Sequence, residues 1–260
     1  HYALATTLSQ ILEVFNFHLQ FKMSQGGLVQ MWHRLAEILW QWYDQIAEDI
    51  QKAGVLHGDE TGWRVNGKTH WLWCFTSKTA TLFTIERSRA GPVVLEFIQE
   101  CFSGVFVSDF WHAYNVLTCA KQKCLAHLLR DLKRVQQYKD TRGDWSRFSK
   151  KLKRLIRDGI RLIKRLRRHE HEVFTFLEYR DVPYDNNFAE RNIRGAVIMR
   201  KNSFNNRSEK GASTQSVLMS VFFTIKQRGL NPVDTVKTAL RIYLETGHLP
   251  AVKEFTASNG

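Results

Sequence analysis

Three consecutive segments rich in aromatic and β-branched residues most strongly limit the folds open to this chain. They read GVLHGDETGWRV (54–65), KTHWLWCFT (68–76) and TATLFTIE (79–86). The dipeptides Asn66-Gly67 and Ser77-Lys78 separate them, and Asn-Gly between alternating apolar residues is a strong hairpin signal. The sequence therefore predicts a three-stranded antiparallel meander.

Helices and strands alternate after this meander. A helix is predicted from Pro92 to Cys101, then the apolar strand GVFVSDF (104–110), a short helix, a strand over KQKCLAH (121–127) and a helix over LLRDLKRVQQY (128–138). An antiparallel meander followed by alternating helices and strands predicts an α/β fold. We expect a mixed sheet, the meander plus parallel strands, with helices on its faces.

Helical patterns flank the strand-rich part on both sides. One is predicted over Leu8 to Phe21, and another from Ser24 to Lys52 with Ser24 as its N-cap. Near the C-terminus, helices are predicted over 212–228 and after the cap Asn231. The predicted organisation is an N-terminal helical region (1–53), a strand-rich core (54–205) with a basic helical insertion at about 140–180, and a C-terminal helical region (206–260).

The charge balance points to a polyanionic partner. Lys and Arg outnumber Asp and Glu by 38 to 25, which gives a net charge of +13. Eleven of these cations and one acid lie between Arg147 and Arg168, along a helix with one apolar stripe. At 43% hydrophobic residues the composition excludes a disordered chain, and no apolar run is long enough for a membrane span.

The cysteines indicate the redox compartment of the protein, and the first residue indicates whether the chain is a fragment. Four cysteines without paired zinc spacing or a disulfide framework fit a reducing cytoplasm. The chain begins at His1 with no secretory signal pattern. We therefore expect an internal fragment or a trimmed chain rather than a secreted precursor.

Two short motifs match functional patterns in letters only. Gly62 to Thr69 satisfies the P-loop pattern, but Thr69 opens a strand-like segment where that loop requires a helix. His169 to Glu172 reads HEHE and lacks the histidine pair of a zincin helix, so we expect a solvated helix end.

Three carboxylates outside these motifs predict a metal site. Asp59 lies in the first strand on the opposite face from Glu60, and Asp109 ends the first strand after the meander. If those strands are adjacent, both aspartates meet at one end of the sheet, and Mg²⁺ takes one or two such carboxylates with phosphate oxygens. Glu190 is the candidate third ligand. Judged from the local residues alone, the segment from Asn187 to Glu190 favours a helix cap with Glu190 at its third position.

The chain resembles the insertion-sequence sixty-six family of bacterial DDE transposases. The matching blocks stand in family order within residues 54 to 245: VLHGDETGWRV, SDFWHAYN, CLAHLLRDLKR, VPYDNNFAERNIR and RKNSF. One departure is Phe110-Trp111, where the family usually has Gly-Tyr. The resemblance implies a ribonuclease-H-like fold and DNA transposition.

The resemblance also implies roles for individual residues. Asp59, Asp109 and Glu190 would be the catalytic and metal-binding DDE triad for two Mg²⁺ ions, with Mn²⁺ as a substitute. Water would cleave the phosphodiester at the transposon end, and the freed 3′-hydroxyl would attack target DNA. Double-stranded DNA would be the substrate, bound by a homo-oligomer, with small accessory transposition proteins as further partners and no membrane.

Roles are also expected for residues near the triad. Arg191, Arg194, Arg200 and Lys201 suit phosphate contacts, although a solvated basic face explains each of them equally well. The CLAH segment resembles a Cys-x-x-His element of many DDE enzymes. We expect a structural role near the site for Cys124 and His127 rather than zinc binding. The competing hypotheses are a two-metal nuclease without strand transfer and an inactive DNA-binding remnant.

Overall fold

A five-stranded mixed sheet forms the centre of the computed structural model, which describes residues 6–98, 102–137, 145–203 and 206–255. Its strands are β1 (Val55–Val65), β2 (Lys68–Thr76), β3 (Thr81–Glu86), β4 (Val105–Ser108) and β5 (Lys121–Lys123). Their order across the sheet is β3-β2-β1-β4-β5. The first three strands are antiparallel, whereas β4 runs parallel to both β1 and β5. The predicted meander and mixed sheet are confirmed.

Helices precede, connect and follow the strands. They are α1 (Leu8–Glu13), α2 (Gln25–Ile38), α3 (Trp40–Gln51), α4 (Gly91–Phe97), α5 (Leu125–Gln137), α6 (Trp145–Arg168), α7 (Glu170–Val173), α8 (Thr175–Glu178), α9 (Asn187–Ser203), α10 (Glu209–Gln227) and α11 (Pro232–Thr246). A π-helical turn (Val14–His18) and two 3₁₀ turns (His112–Val116 and Val252–Glu254) complete the elements. The last residues predicted for two helices, 99–101 and Tyr138, lie outside the described residues.

The turn between β1 and β2 excludes the P-loop. Asn66 and Gly67 both have left-handed backbone, with φ angles of 47° and 72°, as a tight hairpin requires. The chain then continues directly into β2, so no helix N-terminus is present to bind a phosphate.

The single helix predicted from Ser24 to Lys52 is wrong. The structure has two helices, α2 and α3, which meet at Leu39, where the backbone leaves the helical region. Ser24 is the N-cap as predicted, and its hydroxyl accepts a hydrogen bond from the Gly27 amide at 3.0 Å. Leu39 and Trp42 are both fully buried, so tertiary packing sets the break, and no proline or glycine marks it.

The strand predicted over residues 121–127 is shorter than expected. It ends at Lys123, and the Cys124 amide donates to the Ser108 carbonyl at 2.8 Å. The next amide, of Leu125, bonds the Tyr184 carbonyl instead, and α5 begins there. The CLAH segment therefore forms a strand-to-helix junction.

The two faces of the sheet pack against different helices. On one face, Trp73 and Phe75 pack in a core that includes residues of α3, α4 and α10. On the other face, Trp63 and Leu72 pack against Ile193 and neighbouring apolar residues of α9. Helix α9 therefore lies across the same face to which the odd-numbered residues of β1 point.

Candidate active site

Asp59 lies in β1 on the face covered by α9. It pairs across the strands with Cys74, whose side chain belongs to the core on that face. Its Oδ1 atom accepts a hydrogen bond from the Glu60 amide at 3.0 Å. Glu60 points to the opposite face, as the alternation of a strand predicts.

Asp109 follows the last residue of β4 and lies level with Asp59. The parallel register pairs His57 with Val107, and two further residues along each chain lead to the two aspartates. The Trp111 amide donates to Asp109 Oδ1 at 2.8 Å, and the Lys123 ammonium donates to the Asp109 carbonyl at 3.1 Å. The predicted adjacency of the two strands is confirmed.

Glu190 lies in the first turn of α9, and its side chain does not serve as a cap. Its Oε1 atom accepts a hydrogen bond from Arg130 at 3.2 Å and lies 3.7 Å from His127 Nε2. The cap proposed for Asn187 is wrong, because its side chain donates to Asp185 at 2.5 Å. Asp185 also accepts from the Asn187 amide at 3.1 Å, so Asp185 is the residue that serves the helix start.

Asn186 ties the start of α9 to β1, a role that the sequence analysis missed. Its Nδ2 atom donates to the Gly58 carbonyl at 2.7 Å, and its Oδ1 atom lies 2.9 Å from His57 Nδ1. The side chain is 1% exposed, so both bonds are shielded from water. Because Gly58 precedes Asp59 and Asn186 precedes α9, this amide fixes the position of Glu190's helix relative to Asp59.

The electrostatics of the three carboxylates centre on Asp59. Burial, followed by the negative charges of Glu60, Asp109 and Glu190, raises the pKa of Asp59 to about 8. The side-chain charges with the largest effect on this pKa are therefore those of acids. A proton or a cation bound here would relieve that repulsion.

Lys123 is a second buried charge that the sequence analysis did not identify. It is fully buried beneath Asp109, with its ammonium 3.3 Å from Ser108 Oγ. Burial lowers the pKa of Lys123 to about 8. The strand that contains it has the sequence Lys-Gln-Lys, and this polar pattern did not indicate that Lys123 would be buried.

Cys124 and His127 lie closer to Glu190 than their predicted structural role required. Among the described residues, the side chains of Cys124, His127 and Glu190 form a group whose potential metal-ligand atoms all lie within 4.8 Å of one another. The structure thus groups Glu190 at ligand distance with this pair, whereas its influence on Asp59 is electrostatic.

The four predicted DNA-contacting residues differ in their surroundings. Arg191, Arg194 and Lys201 are exposed on α9. Arg200 instead donates to the Gly62 carbonyl and lies 3.3 Å from Thr61 Oγ1, so its guanidinium is held against β1. The structure therefore leaves three of the four side chains open to solvent.

The HEHE segment is not a solvated helix end throughout. His169 is 5% exposed, and its Nδ1 atom lies 2.5 Å from Glu172 Oε2. Lys121 pairs with the same glutamate at 3.1 Å. The expectation was wrong because this segment packs against β5 rather than ending in water.

Asp59 thus lies within β1, level with Asp109 just after the end of β4, and Glu190 lies on the helix that covers this face. The chain belongs to the Transposase IS66 family, whose family model matches residues 1–160 and 158–214. Membership indicates a transposase role and a DNA substrate. No curated protein matches the chain. Among the described residues, every helix is too short or too polar to cross a membrane.

Proposed function

We propose that the chain is the catalytic core of a DNA transposase in which Asp59, Asp109 and Glu190 form the DDE triad. The observation that carries this proposal is geometric: the parallel register of β1 and β4 brings Asp59 and Asp109 level with each other, on the face that the helix of Glu190 covers. The raised pKa of Asp59, caused by burial and by the charges of neighbouring acids that include both other members, supports it.

The donor set fits Mg²⁺. Carboxylate oxygens are the hard ligands that this ion takes, and it binds through one or two of them together with substrate phosphate oxygens. Asp59, Asp109 and Glu190 would hold two such ions, with Mn²⁺ as a substitute. When bound, Mg²⁺ would neutralise the carboxylates and polarise the phosphodiester.

The sheet topology supports a ribonuclease-H-like fold for this core. An antiparallel meander continues through β1 into two parallel strands, with the first Asp in the central strand and the second at the end of its parallel neighbour. The Asn186 amide contributes by holding the helix that carries Glu190 against β1. The buried Lys123 ammonium donates a hydrogen bond to the Asp109 carbonyl and so fixes the backbone at Asp109.

The proposed reaction has two balanced steps. In the first, water forms a bond to phosphorus at the transposon end, the bond from phosphorus to O3′ breaks, and O3′ leaves with a proton. In the second, this 3′-hydroxyl forms a bond to phosphorus in target DNA, and the target's own O3′ leaves. No covalent bond to the protein forms in either step.

The exposed cations of α9 would position the DNA. Arg191, Arg194 and Lys201 lie on the helix that carries Glu190, where phosphate contacts would set affinity rather than sequence. Neutralising any one of these cations by substitution would reduce the slope of log affinity against log salt by about 1. Arg200 would contribute less, since its guanidinium already bonds β1. A homo-oligomer on DNA, small accessory proteins and a location at the bacterial nucleoid remain parts of the proposal.

The test is a cleavage and strand-transfer assay with Mg²⁺ or Mn²⁺ on labelled transposon-end DNA. We expect Asp59→Asn, Asp109→Asn and Glu190→Gln each to reduce both steps more than about 100-fold, since loss of a mere supporting partner of a metal ligand already costs roughly 10–100-fold. Asp234→Asn, at an exposed acid of α11, is the matched control and should retain wild-type rates. Wild-type activity in any triad variant would remove that residue from the site.

Two outcomes would favour the other hypotheses. Cleavage without joined products would indicate a two-metal nuclease without strand transfer. Salt-sensitive DNA binding with no cleavage in either metal would indicate an inactive remnant. An ATPase activity abolished by Lys68→Ala would restore the P-loop, against the hairpin found at Asn66-Gly67.

A further inference from the structure

The group formed by Cys124, His127 and Glu190 has dimensions close to those of a zinc site. Its three ligand atoms lie within 4.8 Å of one another. With zinc–ligand bonds of about 2.0–2.3 Å in tetrahedral geometry, protein ligand atoms lie roughly 3.3–3.8 Å apart. Small side-chain rotations would therefore bring the three atoms to bonding distance.

Burial raises the pKa of the Cys124 thiol, and three backbone amides oppose this shift by donating to the sulfur. The Asn186 amide donates to Sγ at 3.3 Å, and the backbone amides of Ala126 and His127 also act as donors to it. Cys124 directly precedes α5, so the positive end of that helix faces the sulfur. Thiolate is the form of cysteine that binds a metal, and these donors stabilise it.

The two ring nitrogens of His127 have different surroundings. Nε2 faces Glu190 Oε1 at 3.7 Å, so it is the nitrogen that a cation bound with Glu190 would contact. Nδ1 is buried and has no hydrogen-bond partner among the described residues. With Nε2 bound to a cation, Nδ1 would carry the ring proton.

We propose that Cys124, His127 and Glu190 bind a soft divalent cation of the Zn²⁺ type, with a solvent molecule as the fourth ligand. Sulfur and imidazole nitrogen select such a cation over Mg²⁺, which prefers oxygen ligands. Arg130 pairs with Glu190 in the metal-free protein, but its side chain is 54% exposed and is free to turn into solvent.

Glu190 would then belong to two alternative sites. It completes the triad for Mg²⁺ or, with Cys124 and His127, binds Zn²⁺. Zinc would therefore inhibit DNA cleavage by withdrawing the third carboxylate. This regulatory consequence rests on the proposed transposase function, whereas the metal site itself does not.

Cobalt titration of the metal-free chain tests the site without any activity. Co²⁺ bound to thiolate gives an intense near-ultraviolet charge-transfer band, which we expect to appear at one equivalent and to disappear on addition of Zn²⁺ but not of Mg²⁺. Cys124→Ser should abolish the band, and His127→Gln should weaken cobalt binding more than about 100-fold. Glu190→Gln should keep the band but weaken the binding.

Cys119→Ser is the matched control. Cys119 is a partly buried free thiol outside the group, and its replacement should leave the band unchanged. Near-ultraviolet circular dichroism checks that each variant is folded, and His127→Gln decides the question if Cys124→Ser does not fold. Absence of a thiolate band in the folded wild type, or its persistence in Cys124→Ser, would overturn the proposal.

Cleavage assays with added Zn²⁺ separate this inference from the proposed function. We expect micromolar Zn²⁺ to inhibit the wild type and Cys119→Ser, and each Cys124 or His127 variant to lose that sensitivity relative to its own zinc-free rate. If the chain shows the cobalt band but does not cleave DNA, the metal-site proposal stands and the proposed catalytic function is refuted. Cleavage that Zn²⁺ inhibits equally in Cys124→Ser would refute the shared glutamate.

Discussion

Asp59 and Glu60 are adjacent acids in one strand, and they differ in what neutralises them. Glu60 has a side chain that is 2% exposed, and its Oε1 atom accepts two hydrogen bonds from Arg89 at 2.6 and 2.9 Å. The Tyr114 hydroxyl donates to its other oxygen. Asp59, on the opposite face, accepts one bond from a backbone amide, and the side-chain charges with the largest effect on its pKa are those of acids.

This difference separates a structural carboxylate from a candidate functional one. The guanidinium that neutralises Glu60 is itself fixed, because Arg89 lies between the rings of Trp71 and Trp111, at 4.4 and 3.7 Å from their centroids. Burial raises the pKa of Glu60 as well, but the Tyr114 hydroxyl and the Arg89 guanidinium oppose that shift. A carboxylate that is surrounded by other acids is repelled by their charges, which favours the binding of a proton or a metal cation.

The largest effect on stability is expected at Glu60. Glu60→Gln removes one partner of a buried ion pair and leaves the Arg89 charge uncompensated, which should reduce the free energy of unfolding by about 3 kcal/mol. Urea denaturation at neutral pH measures this change. The comparison predicts the opposite sign for Asp59→Asn, which removes a repelled charge. Equal destabilisation by both substitutions would show that the two acids are equivalent in the fold.

The pH dependence of stability gives the next effect. The pKa of Asp59 is about 8 in the folded chain and has its ordinary value of 3.8 in the unfolded chain, so the folded state binds the proton more tightly. The stability that this group contributes is full below the unfolded pKa and is lost as pH rises towards 8. Asp59→Asn removes this loss.

After allowance for screening by solvent, Asp59→Asn should be more stable than wild type by about 2 kcal/mol at pH 8 and by almost nothing at pH 4. Thermal unfolding across this range, in chelator and without divalent ions, measures the difference. A constant difference between the variant and the wild type at every pH would contradict the raised pKa.

Divalent ions should stabilise the protein through Asp59 and not through Glu60. At a Mn²⁺ concentration about 100 times the dissociation constant, the wild type should gain about 2.7 kcal/mol of stability. Asp59→Asn should gain little, whereas Glu60→Gln should keep most of the gain despite its lower starting stability. A gain of equal size in Asp59→Asn would mean that Mn²⁺ binds elsewhere.

The sequence predicted the placement of Asp59 better than the partners of Glu60. Alternation in β1 placed Asp59 and Glu60 on opposite faces, and the parallel pairing of β1 with β4 then follows from the order of the elements. Both are local or topological properties of the pattern. The partner of Glu60 lies 29 residues away, and no spacing rule connects a strand glutamate with an arginine in a later loop.

The errors in the sequence analysis have the same origin. The Asn187 cap was a sound interpretation of the local residues, yet Asp185 serves the helix start and Asn186 bonds β1, 128 residues earlier in the chain. Cys124 and His127 were expected near the site from the CLAH element, and their structural role stays a prediction. The third member of their group, Glu190, comes from another helix that only the fold brings near.

The smallest effect tests how the stacked arginine is held. Arg89→Lys keeps the positive charge beside Glu60 but removes the planar stacking on Trp71 and Trp111, and we expect stability to fall by about 1 kcal/mol. Trp111 connects this cluster to the site, because its backbone amide donates to Asp109 and its indole donates to the Arg89 carbonyl at 3.1 Å. Arg89→Lys should therefore lower the Mn²⁺ affinity slightly as well, measured by the thermal shift. If stability falls and the affinity is unchanged, the two faces of β1 are independent, and the cluster around Glu60 supports the fold without positioning Asp109.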